Sequence, residues 1–211
     1  MYGLNDMSQR LVWNFEFSTI KETPLIGLID QAHDDLKWER RFFWSEDQII
    51  SLCNIDNTLL DLANYQQKHK EDYYYLLPDC NYNIKLRHNE LLYKPVVQQT
   101  SSAIGYGMKI NLEARTIQNP DTDCINIEII AQQAREHGTR VFVKKEAFIY
   151  KFPTDPNIKL ELARLEVNDK VYFSACIEGK SLYLVETLSE LLLGKQVSCE
   201  YVTFLKNITK L

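Results

Sequence analysis

The chain has 211 residues, which is enough for one domain of ordinary size or for one domain with a short extension. Hydrophobic residues make up 45% of it and charged residues 25%, a composition typical of globular domains that excludes disordered and collagen-like chains. The net charge is −5, so the composition does not favour binding to DNA. A site for a polyanion would therefore need a local concentration of Lys and Arg.

The N-terminal sequence has no basic region followed by an apolar core, which argues against a secretory signal peptide. No apolar run approaches the ~20 residues of a membrane-spanning helix, so no association with a membrane is predicted. Five cysteines are widely spaced and form no CxxC pair: Cys53, Cys80, Cys124, Cys176 and Cys199. This pattern predicts reduced thiols and a cytoplasmic protein. The four histidines lack metal-ligand spacing, so a zinc site is not predicted.

The first 35 residues are predicted to form an N-terminal extension that packs on a main domain of residues 36–211. Trp13, Phe15 and Phe17 alternate with polar residues, which predicts a strand over 11–17. A helix is predicted over 24–35.

A second strand is predicted over 36–44, where aromatic and charged residues alternate. Ser45 is followed three residues later by Gln48, which is the pattern of a helix capping box. Apolar residues follow, and a helix is therefore predicted near 46–64.

The middle of the chain predicts a strand over 72–77, a turn over 78–81 and then a hairpin. The hairpin strands cover 83–87 and 90–94, and His88-Asn89 forms the tight turn between them. A further strand is predicted over 105–114.

The C-terminal part predicts a helix over 123–137 that stops at Gly138. A long strand over 139–152 follows, and then strands over 160–167 and 170–179 that are joined by a tight turn. Two more helices are predicted over 182–193 and near 200–207.

The pattern gives about eight strands, most of them joined by turns too short for parallel crossovers. It therefore predicts an antiparallel sheet, either open against helices or closed into a barrel. The predicted class is α+β.

Several predicted strands carry charge on one face, because side chains two residues apart point the same way. Lys85 and Arg87 share a face of one strand, and Lys37, Glu39 and Arg41 share a face of another. A closed sheet could point such faces inward, where Lys and Arg need a compensating anion. Phosphate oxygens can accept hydrogen bonds from the forked N–H groups of Arg and can pair with the charge of Lys. The carboxylates can bind a divalent cation. The alternative is that these charged side chains lie on the solvent-exposed face of a sheet whose other face is buried.

At these residues the chain resembles the CYTH family, also called triphosphate tunnel metalloenzymes. The segment KWERR matches the ExExK signature of the family with Glu39 at the second Glu and Arg41 at the Lys, but Lys37 replaces the first Glu. The segment DYYYLLPDCNYNIKLRHNELLYKP resembles three successive strands of the family. This likeness implies that Lys85, Arg87 and Lys94 bind phosphate, together with Arg41.

The strand VFVKKEAFIY resembles the basic strand of the family, which adds Lys145 to the phosphate ligands, with Lys144 as the alternative. The two acidic strands after it imply that Glu161 and Glu178 join Glu39 as metal ligands. The resemblance implies an eight-stranded antiparallel barrel, or tunnel, flanked by helices. It also implies Mg²⁺- or Mn²⁺-dependent hydrolysis of a triphosphate-containing small molecule or of inorganic polyphosphate.

Three alternatives stay open on the sequence. Because the first Glu of the signature is missing, the barrel could bind or sense a polyphosphate or nucleotide without turning it over. The sheet could instead serve a protein partner, and a nucleotide cyclase is a further option. A homodimer is also compatible with the sequence.

Overall fold

A computed structural model describes residues 8–18, 29–30, 34–114 and 127–211. Over these residues the protein is an α+β fold with an antiparallel sheet of ten strands, a small sheet of three strands and three helices. The predicted α+β class and the antiparallel sheet are confirmed. The prediction of an eight-stranded closed barrel is wrong, because the sheet has ten described strands and its hydrogen-bonded order has two ends.

The described strands, in chain order, are β1 (Ser8–Val12), β2 (Phe15–Ser18), β3 (Lys37–Ser45), β4 (Ile50–Cys53), β5 (Gln66–Leu76), β6 (Asn83–Arg87), β7 (Glu90–Lys94), β8 (Val96–Gln99), β9 (Ile104–Tyr106), β10 (Ile110–Asn111), β11 (Thr139–Lys151), β12 (Lys159–Val167) and β13 (Lys170–Gly179). The described helices are α1 (Ile127–His137), α2 (Leu182–Leu193) and α3 (Tyr201–Thr209). The order of strands in the large sheet is β10-β7-β6-β5-β11-β12-β13-β3-β9-β8.

The large sheet curls strongly into a half-barrel. Lys94 on β7 forms an ion pair with Glu39 on β3, although five strands separate β7 from β3 in the sheet. β7 and β8 are separated only by Pro95, so the chain itself runs from one end of the sheet to the other. The Gly107 N–H also donates to the Pro95 carbonyl at 3.0 Å. These contacts draw the two ends of the sheet together around a concave face.

The convex face of the sheet carries the main hydrophobic core. Alternate residues of β3, such as Trp38 and Phe42, are buried there with Leu160, Leu162 and Ile177. The helix α2 and the small sheet cover this core. The helix α1 covers a separate core on the outer side of β6 and β7.

The concave face is divided into two parts. At one end it is apolar, and α3 closes it by packing Phe204 flat on Phe43 with ring centroids 3.8 Å apart. Val143 and Leu165 are buried in the same cluster. At the other end the same strands carry charged side chains, and this part is described below.

The predicted strand over 11–17 and the predicted helix near 46–64 are both wrong. A turn at Trp13, whose φ is 48°, divides the first segment into β1 and β2. Gln48 does accept a hydrogen bond from the Ser45 N–H at 3.1 Å, but the contact closes a turn. The apolar residues that follow form β4, which pairs in parallel with β2, because this long-range partner buries Ile50 and Leu52.

The hairpin prediction at 83–94 is confirmed, and His88 and Asn89 adopt positive φ angles of 48° and 64°. The strands and helices predicted after residue 138 are confirmed with small shifts at their ends. The predicted strand over 105–114 is wrong, since it is divided into β9 and β10, which pair at opposite ends of the sheet.

The predicted helix over 24–35 lies mostly outside the described residues, as does the start of the helix predicted over 123–137. The division into an extension of residues 1–35 and a main domain stays a prediction. None of the helices in the described ranges has the length and apolar character needed to cross a membrane. The four described cysteines are free thiols.

Candidate functional site

The charged side chains of the concave face come from the strict alternation of the strands. On β3, Lys37, Glu39 and Arg41 face the concave side, whereas Trp38 and Phe42 face the convex core. The same alternation operates on seven other strands of the sheet, and together they line one cavity of about 830 Å³.

The cavity concentrates positive charge. Among the described residues that line it, twelve are Lys or Arg and five are Asp or Glu, an excess of seven positive charges in a chain whose net charge is −5. The cations are Lys37, Arg41, Lys68, Lys70, Lys85, Arg87, Lys94, Lys109, Lys145, Lys151, Lys159 and Lys180. Such a cavity attracts anions and raises their local concentration.

Glu161 on β12 is the centre of a buried ion network. It accepts hydrogen bonds from Arg41 Nη1 at 3.0 Å and from Lys145 Nζ at 2.8 Å. Arg41 also donates through Nη2 to Glu39 Oε1 at 3.1 Å. Burial acts to raise the pKa of the Glu161 carboxyl, but Lys145 and Arg41 outweigh it and hold that pKa below its ordinary value.

Asp72 on β5 holds the cations of the hairpin. Its carboxylate accepts hydrogen bonds from Lys85 Nζ at 3.3 Å and from the Arg87 guanidinium. Burial of Lys85 lowers the pKa of its ammonium to about 7, and the nearby Arg87 and Lys145 contribute in the same direction. The Asp72 carboxylate acts on this pKa in the opposite direction.

Two further ion pairs lie toward the ends of the sheet. Lys94 pairs with Glu39, and its Nζ lies 3.6 Å from the centroid of the Tyr106 ring. Lys37 pairs with Glu178 at 2.7 Å. Lys37, which replaces an expected carboxylate of the CYTH signature, thus neutralises one of the remaining carboxylates.

Six cations of the cavity have no carboxylate within 4.0 Å among the residues that the structure describes: Lys68, Lys70, Lys109, Lys151, Lys159 and Lys180. Lys70 lies directly opposite Lys145 in the pairing of β5 with β11. Burial, followed by repulsion from Lys145, lowers the pKa of Lys70 to about 8. Lys109, Lys151 and Lys180 are exposed, so a bound anion would stabilise the half-buried Lys68, Lys70 and Lys159 more.

One group of side chains has the spacing of metal ligands. Single ligand atoms of Glu39, Cys176 and Glu178 lie within 4.8 Å of one another. Burial raises the pKa of the Cys176 thiol well above its ordinary value, so it stays protonated and does not suit a hard cation. The two carboxylates do fit Mg²⁺ or Mn²⁺, which take one or two carboxylates with phosphate oxygens. Glu161 lies outside this group.

No protein-family model and no curated protein matches the chain. Among solved structures, a proposed adenylate cyclase from Bacillus halodurans is 10% identical, with a TM-score of 0.38, over 77% of this chain and 92% of that chain. The PH1819 protein from Pyrococcus horikoshii is 14% identical, with a TM-score of 0.40, over 82% of this chain and 99% of that chain. Both TM-scores are below 0.5, so these likenesses assign neither a family nor a function to this chain.

The curled antiparallel sheet agrees with part of what the CYTH resemblance implies. It supplies the element that the sequence resemblance implies, which is a set of antiparallel strands around a charged interior.

All eight residues that the CYTH resemblance marks line the cavity: Arg41, Lys85, Arg87, Lys94 and Lys145 for phosphate, and Glu39, Glu161 and Glu178 for metal. Their roles as ligands stay predictions. Lys144, the alternative to Lys145, lies on the opposite face of β11, and its side chain is 56% exposed.

Several charged residues that line the cavity, or that pair with its cations, are not predicted from the sequence. Lys68, Lys70 and Asp72 alternate along β5, but the strand was predicted to begin only at residue 72. Extending the period of two backward through QQKHKED would have indicated both lysines. Lys109 and Lys180 follow β9 and β13, and no local pattern in the sequence indicates them.

We expect Glu161→Gln to lower the free energy of unfolding by about 3 kcal/mol at neutral pH, because Arg41 and Lys145 would lose their buried carboxylate. Glu166→Gln is the matched control, since Glu166 lies on the same strand and is 39% exposed. We expect it to cost less than about 1 kcal/mol. Urea unfolding measures both, and equal costs would contradict the buried network.

Glu161 should also make the free energy of unfolding depend on pH. Because the pKa of Glu161 is lower in the folded protein, its contribution is present above the unfolded pKa of about 4.3 and is lost as the pH falls. The wild-type protein should therefore lose more stability between about pH 5 and pH 3 than Glu161→Gln does.

Proposed function

We propose that this protein binds the phosphates of a triphosphate-containing small molecule, or of inorganic polyphosphate, in the concave cavity. The observation that carries the proposal is the excess of seven positive charges in a cavity of about 830 Å³, within a chain that is acidic as a whole. Most of these cations are half-buried, and holding them close together is unfavourable unless anions compensate them. A chain of phosphates supplies several negative charges in a line.

The lining offers both kinds of phosphate donor. Arg41 and Arg87 present forked N–H groups that match phosphate oxygens, and Lys85 and Lys145 present point charges. In this structure all four contact carboxylates, whereas Lys70 and five other lysines do not. The paired residues would form the walls of the site, and the unpaired lysines would supply its uncompensated charge.

A divalent cation would complete the site. Glu39 and Glu178 would hold Mg²⁺ or Mn²⁺ together with phosphate oxygens, and Lys37 would transfer its contact from Glu178 to the phosphates. When bound, the metal would neutralise charge on the phosphates and polarise them. Arg41 and Lys94, which flank Glu39, would hold that carboxylate in place.

Hydrolysis of the polyphosphate is a second candidate function, and the observation that favours it is the neighbouring pair Glu39 and Glu178. Cations lining the cavity would stabilise the charge of a phosphoryl-transfer transition state. Against it stands Lys37, which occupies a position where the CYTH signature has a carboxylate. A binding or sensing role without turnover requires fewer functional groups in the cavity than hydrolysis does.

We expect the protein to bind inorganic tripolyphosphate without metal and Lys145→Ala to weaken this binding roughly tenfold, because one charge-assisted hydrogen bond is lost. Lys144→Ala is the matched control, since it removes the same charge from the opposite face of the same strand. Its affinity should stay within about twofold of the wild type. Isothermal titration calorimetry measures the affinities, and thermal unfolding confirms that each variant is folded. Equal losses in the two variants, or no binding by the wild type, would overturn the proposal.

The affinity should fall as the pH rises from about 6 to about 9. In this structure the pKa of Lys85 is lowered to about 7 and that of Lys70 to about 8, and a bound polyanion would raise both. Binding therefore takes up protons in this range. Lys85→Arg keeps its charge at all these pH values and should show a weaker pH dependence. Because the phosphates titrate identically with both proteins, the difference between the two curves isolates Lys85. If the affinities of the wild type and of Lys85→Arg change equally with pH, Lys85 is not the group that takes up the proton.

For hydrolysis, the expected result is release of phosphate from tripolyphosphate that requires Mg²⁺ or Mn²⁺. Glu178→Gln should reduce the rate at least tenfold, because the metal would lose a carboxylate ligand. The exposed Glu166→Gln should have the wild-type rate. Binding of tripolyphosphate without any release of phosphate would leave the binding role and eliminate the hydrolase.

A further inference from the structure

Lys37 lies beside the two carboxylates that fit a divalent cation. Glu39 on β3 and Glu178 on β13 are directly opposite each other in the sheet, and one oxygen of each lies within 4.8 Å of the other. Lys37 precedes Glu39 by two residues, so the two side chains share the concave face. Its Nζ lies 2.7 Å from Glu178 Oε2. The ammonium therefore binds an oxygen that a metal ion would need.

The two carboxylates are held in different ways. Glu39 contacts Arg41 Nη2 at 3.1 Å and also the Lys94 ammonium, so two cations neutralise it. Lys37 is the one cation within 4.0 Å of Glu178 among the residues that the structure describes. The availability of Glu178 to a metal ion therefore depends on a single side chain.

Lys37 is a charged group that is able to move. Burial acts to lower the pKa of its ammonium, but Glu178 and then Glu39 outweigh burial and raise that pKa, so Lys37 stays charged. The side chain is 42% exposed, lines the cavity and has a flexible stem. An ion pair as exposed as this one is weak, so a polyanion in the cavity would draw Lys37 away from Glu178.

We propose that Lys37 is a resident cation that keeps Glu178 from binding a divalent metal ion until phosphates in the cavity attract its ammonium. The free protein then binds the metal poorly, and polyphosphate and metal bind cooperatively, because both favour the arrangement in which Lys37 contacts phosphate. The inference rests on the proposed function and adds the regulation of the same site.

The first test measures Mn²⁺ binding to the protein without any phosphate. Electron paramagnetic resonance detects free Mn²⁺, and the loss of that signal gives the affinity. We expect Lys37→Gln to bind Mn²⁺ roughly fivefold more tightly than the wild type, because one weak ion pair no longer competes for Glu178. Equal affinities would overturn the inference and leave the proposed binding of phosphate standing.

Two control variants separate the charge of Lys37 from other effects. Lys37→Arg keeps a cation that pairs with Glu178, so its affinity for Mn²⁺ should be as low as that of the wild type. Lys144→Gln removes the same charge from an ion pair with Glu166 on the opposite face of the sheet, and it should also match the wild type. Tight binding of Mn²⁺ by either control would contradict the role of Lys37.

The second test measures the cooperativity. Calorimetry gives the affinity for imidotriphosphate, which resists hydrolysis because nitrogen bridges its phosphorus atoms, with EDTA and with Mn²⁺. Since Mn²⁺ binds free imidotriphosphate to the same extent in every experiment, differences between proteins isolate Lys37. We expect Mn²⁺ to favour binding by a factor roughly fivefold larger in the wild type than in Lys37→Gln, as reciprocal coupling requires. Equal factors would refute the coupling.

The two proposals fail in different ways. If the wild type binds neither tripolyphosphate nor imidotriphosphate, the proposed function is wrong and the cooperativity is lost with it. The comparison of Mn²⁺ binding by the wild type and Lys37→Gln still decides whether Lys37 excludes the metal. If Lys37→Gln does not unfold cooperatively, Lys37→Ala replaces it in both tests.

Discussion

Repulsion among cations that several strands bring into one cavity is the constraint on which the rest of this structure depends. Two like charges 4 Å apart repel by about 4 kcal/mol at an effective dielectric constant of 20. The protein offsets part of this repulsion with Asp72, Glu39 and Glu161, each of which contacts two cations. It relieves another part by lowering the pKa of Lys85 and Lys70. The excess that remains would favour the binding of an anion.

The division of the concave face strengthens these interactions. The apolar end is filled by α3, so the charged end has a closed floor formed in part by Tyr74 and Tyr201. The guanidinium of Arg41 lies 5.3 Å from the centroid of the Tyr201 ring. Low-dielectric walls of this kind focus the field of the lysines toward the open part of the cavity. The same helix begins at Glu200, its N-cap, which also lines the cavity.

Lys37 would affect how the proposed site binds a metal ion. In the proposed site its ammonium would compete with a divalent cation for Glu178, so metal binding and polyanion binding would be coupled through one side chain. A polyphosphate that attracts Lys37 would free Glu178, and a metal would then gain a second carboxylate beside Glu39. A bound phosphate would in this way free a carboxylate for the metal.

The sequence by itself determined the local elements whose signals are contained within a few residues. The 83–94 hairpin follows from His88-Asn89, the alternation of Lys37, Glu39 and Arg41 follows from the period of a strand, and α2 ends at Gly194 as predicted. Only the tertiary structure decided that residues 46–64 form no long helix, because β2 offers β4 a partner more than thirty residues away. It also decided that the charged faces converge, since the approach of β7 to β3 around five other strands depends on the curl of the whole sheet. Alternation indicates which side chains share a face, but the direction in which a sheet curls is set by packing on its other side.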